Sequence, residues 1–190
     1  MDKKELEELL ISDENDFIEE IKRKKKDIFE FIPELKAEEG FEQNNPWHIY
    51  DVWNHTLVAL GNAPNDLDIR LALLLHDIGK PYSYQDDEKG RHFKNHALKS
   101  YEISSKILLR LEYSENKIEE LCFYIKKHST DIDLSKVNNT NYKRYAKLLT
   151  IQYCDCSAYN PIYGRKGMDK LDRIKNSLLD KKKELDENIK

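Results

Sequence analysis

The stretch LDIRLALLLHDI, Leu67 to Ile78, constrains this chain more than any other. It is apolar almost all round, and such a helix is stable only when other elements cover it on every side. The remaining sequence must supply that cover. It must also account for His76 and Asp77, two ionisable groups placed together where the apolar run ends.

Nearly every other segment has helical period. Phe17, Ile21, Ile28 and Ile32 predict a helix that Pro33 stops, with Ser12 or Asp13 available as its cap. Residues 33–47 read as an irregular connection. Helices are then expected over His48–Leu60, with Gly61 as stop signal, and over Leu67–Ile78. A polar loop leads to a helix capped by Asn95 and running to Leu111. A second, capped by Ser114, ends near His128. The last two cover Tyr142–Tyr159 and the charged stretch Lys166–Ile189. No segment shows a sustained strand pattern. Six Gly and five Pro in 190 residues are few for an all-β chain rich in turns. The expected fold class is all-α.

Charge and hydropathy exclude some functions. A net charge of −4 gives no global preference for nucleic acid. The run KRKKK, Lys22 to Lys26, wraps around its helix and reads as a solvated face. No stretch approaches the roughly 18 apolar residues of a membrane span. The N-terminus MDKKELEELLISDEND is too charged for a signal peptide, so a cytoplasmic location is expected. Cys122, Cys154 and Cys156 have neither disulfide nor zinc-ribbon spacing and read as small buried or half-buried thiols.

Polar residues on apolar stripes carry the chemical signal. His48, Val52, His55 and Ala59 share one face, as do His96, Ser100, Ile103, Ile107 and Leu111. Ile118, Leu121, Ile125 and His128 form a third stripe, and Tyr145, Leu148, Gln152, Asp155 and Tyr159 a fourth. Five helices thus turn a His or Asp inward. Burying one polar group without a partner costs a few kcal/mol, so a single shared centre is the economical explanation. The set His55, His76, Asp77, His96, His128 and Asp155 has the composition of a transition-metal site.

These residues resemble the HD-domain metal-dependent phosphohydrolases, whose signature is a His, an adjacent His–Asp pair and a distant Asp. It maps onto His55 in DVWNHTL, His76 and Asp77 in HDIGKP, and Asp155 in YCDCSAY. The stretches FIPELKAEEGFEQNNPWHIYDVWNHTLVAL and HFKNHALKSYEISSKILLRL, and the helix ending in KKHS, are similar to the HD region of bacterial tRNA nucleotidyltransferases. The nucleotidyltransferase head itself, a Gly-rich phosphate loop followed by paired catalytic Asp, is absent from the sequence. The resemblance covers about residues 31–172. It implies one HD domain over 1–190, a bundle of five or more helices around a buried metal site, with charged terminal helices packed on the core.

The resemblance also implies roles. The four signature residues suffice for one divalent metal. His96 and His128 stand where dinuclear members place two further ligands, with Asp77 as bridge. Iron, manganese, nickel and zinc all suit this ligand chemistry. The implied reaction is attack of water on a small-molecule phosphate ester or nucleotide. Asp77 bridges or accepts a proton, and Lys80 meets the phosphate. His48, Arg91, His92 and Arg144 are further candidates for substrate contact. Two alternatives use the same residues: a di-iron oxygenase, and a non-catalytic metal-containing module that binds RNA or protein. RNA is not the favoured partner, no membrane partner is expected, and the oligomeric state is open.

Overall fold

Residues Leu71 to Leu75 are completely buried, and the reason is topological. In the computed structural model, which describes residues 1–12 and 16–187, they belong to helix α5 (Leu67–Leu75). It packs against α1 (Lys3–Leu10), α4 (Val52–Gly61), α7 (Glu115–Lys127) and α8 (Tyr142–Ser157). Each fully buried Leu side chain contributes roughly 1.5–3 kcal/mol by leaving water. α5 is therefore the hydrophobic axis of the molecule. Asp66 caps its N-terminus by accepting from the Asp68 and Ile69 amides.

The fold is all-α. The other helices are α2 (Phe17–Arg23), α3 (Lys25–Phe31), α6 (His96–Arg110) and α9 (Pro161–Glu187). Among the described residues the only sheet is a hairpin, β1 (Gln85–Asp87) and β2 (Gly90–His92), with Asp86 opposite Arg91. α6 packs on α7, and α9 on α8. No helix among the described residues is long and apolar enough to cross a membrane.

Several boundaries differ from the periodicity. The expected helix over 17–32 is broken at Lys24, and all four apolar markers, Phe17, Ile21, Ile28 and Ile32, are buried on either side of the break. No side chain caps α2, and Asp13 lies outside the described residues, as does Ile189. An unforeseen α1 is closed by a capping box between Asp2 and Glu5 and buries Leu6 and Leu10. α4 begins four residues later than expected because Asp51 is its cap, accepting from the Asn54 amide at 2.6 Å. His48 therefore precedes the helix. α9 starts five residues early, at Pro161, a residue suited to a first helical turn. Asn95 sits at φ 61° and makes no side-chain cap, whereas Ser114 caps α7 through the Lys117 amide.

The basic run is neutralised on the surface. Lys22, Arg23, Lys24, Lys25 and Lys26 pair with Glu19, Glu20, Asp27, Glu39 and Glu30 respectively. The three thiols are free and buried, and burial pushes each up to about 11.

Candidate metal centre

Helix ends build this site. His76 and His128 are the residues that terminate α5 and α7, His96 opens α6, and Asp155 lies in the last turn of α8. Only His55 comes from the middle of a helix, α4. Helix termini leave backbone carbonyls without intrahelical partners, and the histidines use them. His76 Nδ1–H donates to Leu73 O at 2.6 Å and His128 Nδ1–H to Ile125 O at 2.7 Å. His96 Nδ1–H donates to Phe93 O at 2.8 Å, just before α6. Each bond keeps a proton on Nδ1 and leaves Nε2 aimed inward, as metal-ligating histidines are commonly held.

Gly79 lets the pieces meet. A Cβ there would lie 2.4 Å from Ser100 N and 2.6 Å from His96 O, so only glycine permits the HDIGK turn to abut α6. Its amide donates to Ser100 Oγ at 2.9 Å. Asp77 is thereby set against His96.

Two ligand groups converge, and Asp77 belongs to both. His55, His76, Asp77 and Asp155 offer atoms within 4.8 Å of one another, and so do Asp77, His96 and His128. Asp77 Oδ2 lies 3.2 Å from His76 Nε2 and 3.6 Å from His55 Nε2. Asp77 Oδ1 lies 3.6 Å from both His96 Nε2 and His128 Nε2. Asp155 Oδ1 is 2.8 Å from His55 Nε2 and 3.5 Å from His76 Nε2.

The donor chemistry fits a cation. His96 Nε2 and His128 Nε2 face each other at 3.1 Å although both rings carry their proton on the opposite nitrogen. Two lone pairs at that distance repel unless a positive charge lies between or beside them. His76 Nε2 and both Asp77 oxygens are buried without a well-aligned hydrogen bond. The buried cluster can hold a divalent metal.

The electrostatics follow from crowding. Burial pulls the His76 imidazole down, but Asp77 and Asp155 outweigh it and push it up to about 10. Burial would raise Asp77; the charges of His76 and Lys80 instead hold it well below the carboxylate range. Asp155 is likewise held low against its burial, by hydrogen bonds with His55 and His76. Burial dominates at the remaining histidines, lowering His55 and His96, His128 to about 3 and His48 to about 2.

A family comparison agrees with this geometry. The HD domain model matches residues 48–154. The chain belongs to the HD domain family. That membership places it in a metal-dependent, largely hydrolytic phosphohydrolase superfamily. Among curated proteins this HD domain is similar to the CC-adding tRNA nucleotidyltransferase of Thermus thermophilus, 34% identical over 107 residues. It is also similar to the A-adding tRNA nucleotidyltransferase of Deinococcus radiodurans, 32% identical over 108 residues. The matches cover 52% and 53% of this chain but only 24% and 25% of those proteins. The likeness is confined to the HD region.

The other candidate residues of the HD domain distribute unevenly. A cavity of about 600 Å³ opens onto the centre, lined by His48, Lys80, Arg91 and His92 among others. Lys80 is buried, with Nζ 2.6 Å from Asp77 Oδ2 and donating to Gln43 Oε1 at 2.7 Å. His48 packs edge-on against His55 and Tyr159, ring centroids 5.0 Å apart in each pair. Arg91 and His92 line the cavity but pair with Asp86 and Asp87. Arg144 is elsewhere: on the α7–α8 surface it pairs with Glu120 at 2.8 Å and lies over the Phe123 ring. Its position at the start of α8, more than two turns before Asp155, separates it from the cavity.

Sequence reading missed three contributors. Tyr159 donates its hydroxyl to Asp155 Oδ2 at 3.2 Å, and its i+4 spacing from Asp155 was the available signal. Gln43 and Glu38 carry no such signal, because both lie in the irregular 33–47 segment. Glu38 is fully buried with neither carboxylate oxygen hydrogen-bonded. Burial, reinforced by the Asp77 charge, pushes it well above the carboxylate range.

Proposed function

We propose that this HD domain is a metal-dependent phosphohydrolase or phosphodiesterase for a nucleotide or nucleotide-derived phosphate ester, working with two divalent transition metals. The observation that carries the reading is the division of Asp77: one carboxylate oxygen faces His55 and His76, the other His96 and His128. A bridging carboxylate has that arrangement. His55, His76 and Asp155 complete one ligand group, His96 and His128 the other.

Divalent metals held by these residues would supply Lewis acidity and make water a competent nucleophile near neutral pH. The chain's own residues do the rest. The Nδ1–H bonds fix the imidazoles, so the ligand geometry needs no reorganisation when substrate enters. Asp77, held anionic by His76 and Lys80, would serve as shared ligand, and the proton that the attacking water loses ends on the departing ester oxygen. Lys80, held by Asp77 and Gln43, keeps a positive charge at the inner wall beside the phosphate. Water adds to phosphorus as the ester oxygen leaves. The cavity is of a size that holds a nucleotide-sized ligand.

Metal analysis of the purified protein followed by phosphatase and phosphodiesterase assays with each metal tests this. The expected result is about two metals per chain and phosphate release without oxygen, both lost in His76→Ala. Oxygen-dependent turnover with Fe(II), or full metal content with no turnover of any phosphate ester, overturns it.

A further inference from the structure

The hairpin β1–β2 forms one lip of the cavity and brings three basic side chains to it: Lys89, Arg91 and His92. Two of them are already engaged. Arg91 donates through Nε and one terminal nitrogen to Asp86 at 2.7 and 2.8 Å, and through the other to Glu42 O at 2.7 Å. Its guanidinium also lies over the rings of Phe41 and Tyr84. His92 Nε2 is 2.9 Å from Asp87 Oδ1. Lys80, the cation at the inner wall, is shared between Asp77 and Gln43. Lys89 differs from all of these. It lines the same cavity, and no carboxylate among the described residues lies within 4 Å of its ammonium.

The backbone holding Lys89 is fixed. Its amide donates to Asp87 Oδ1 at 2.7 Å. The next residue, Gly90, has φ +109°, and a Cβ there would lie 2.5 Å from Asn44 O. Arg91 N donates to that same carbonyl at 3.0 Å, and Asn45 Nδ2 donates to Arg91 O at 3.3 Å. The hairpin is thus bolted to the 42–45 loop, and the root of the Lys89 side chain cannot swing away from the mouth.

We propose that Lys89 is a specificity-determining residue that takes a second phosphate group of the substrate. The preferred substrate then carries a phosphate at the metal centre and another near the mouth. This rests on the phosphohydrolase reading. A substrate with one phosphate leaves the Lys89 ammonium in water, so only ligands with a second anionic group gain from it. The gain is that of one solvent-exposed ion pair, a factor of about three to five at low salt, and is screened at high salt.

Calorimetric titration of the metal-loaded full chain with inorganic phosphate, adenosine 5′-monophosphate and adenosine 3′,5′-bisphosphate tests the assignment. Wild type should bind the bisphosphate about three- to fivefold more tightly than the monophosphate in low salt. Lys89→Ala should erase that preference, Lys89→Glu should reverse it and Lys89→Arg should keep it, with inorganic phosphate bound equally by all four proteins. Equal preference in wild type and Lys89→Ala overturns the role of Lys89 and leaves the hydrolase reading intact. Failure of wild type to bind any of the three overturns both.

Discussion

Arg70 and His76 are buried on the same helical axis, yet their surroundings differ in kind. Arg70 gives hydrogen bonds to the carbonyls of Leu10, Ser12 and Ala63, and its guanidinium lies 4.1 Å from the Phe17 ring centre. Both terminal nitrogens there meet acceptors, and the result pins α1 to the core. Around His76 the balance fails: its own Nε2, the lone pairs of His96 and His128 and both oxygens of Asp77 converge beside Lys80 without well-aligned partners. Burial of polar groups is common to both regions. What separates a structural staple from a reactive centre is whether the chain satisfies those groups itself.

The strongest way to break this contrast is to neutralise the shared carboxylate. Asp77→Asn preserves shape but removes the charge that both ligand groups face. Metal affinity, read by titration against a competing chelator, should fall by at least about 100-fold, while the fold persists by circular dichroism. Unchanged affinity would show that the centre does not depend on its bridge.

The opposite behaviour is expected at Arg70. Arg70→Ala strands two buried carbonyls and a half-buried one, and such a loss costs about 3 kcal/mol. Denaturant unfolding should show that drop with metal content unchanged. A variant that lost metal without losing stability would join the two regions into one.

Acid–base behaviour sharpens the contrast further, because the centre gathers groups that exchange protons. In metal-stripped protein His76 is pushed up to about 10, so a metal must displace its proton at lower pH. Affinity should rise about tenfold per pH unit across neutrality and flatten near pH 10. Stability of the stripped protein has its own window. The raised His76 contributes fully below its ordinary 6.5 and is lost as pH rises through about 10. Lowered Asp77 and Asp155 contribute fully above their ordinary 3.8 and lose that contribution as pH falls through their folded values. His48, His55, His96 and His128 are lowered by burial and cost stability as pH falls below their ordinary 6.5, so the stripped centre stabilises the fold most near that value. A pH-independent metal affinity would mean that His76 is not a ligand.

The legible part of the molecule was the part with a period. α5 and the stripes bearing His55, His96, His128 and Asp155 follow from 3.6-residue spacing, because a residue on an apolar stripe must face the core. His48 continues the stripe of α4 in register, which set the helix start too early, because Asp51 caps the helix after it; His48 still lines the cavity. Arg144 misled because charge alone says nothing of side: its own pairing with Glu120 holds it on the far surface. The hairpin that carries Lys89 has three-residue strands, too short for alternation to register. Gln43 and Glu38 reach the centre from an irregular segment, where position depends on tertiary contacts that no local pattern encodes.

Glu38 offers the finest test of the contrast, since its oxygens are unmatched but no ligand group converges on them. Its carboxyl is raised in the folded chain, so the unfolded chain releases that proton first, above the ordinary 4.5. Stability is then lost as pH climbs from 4.5 towards the folded value, and Gln removes the loss by being neutral throughout. Glu38→Gln should match wild type near pH 4.5 and exceed it by about 1 kcal/mol at neutral pH, measured by denaturant unfolding of the metal-loaded protein. Metal affinity should stay the same. If affinity falls instead, convergence is not what defines the centre, and the 3₁₀ turn over Pro33–Glu38 belongs to it.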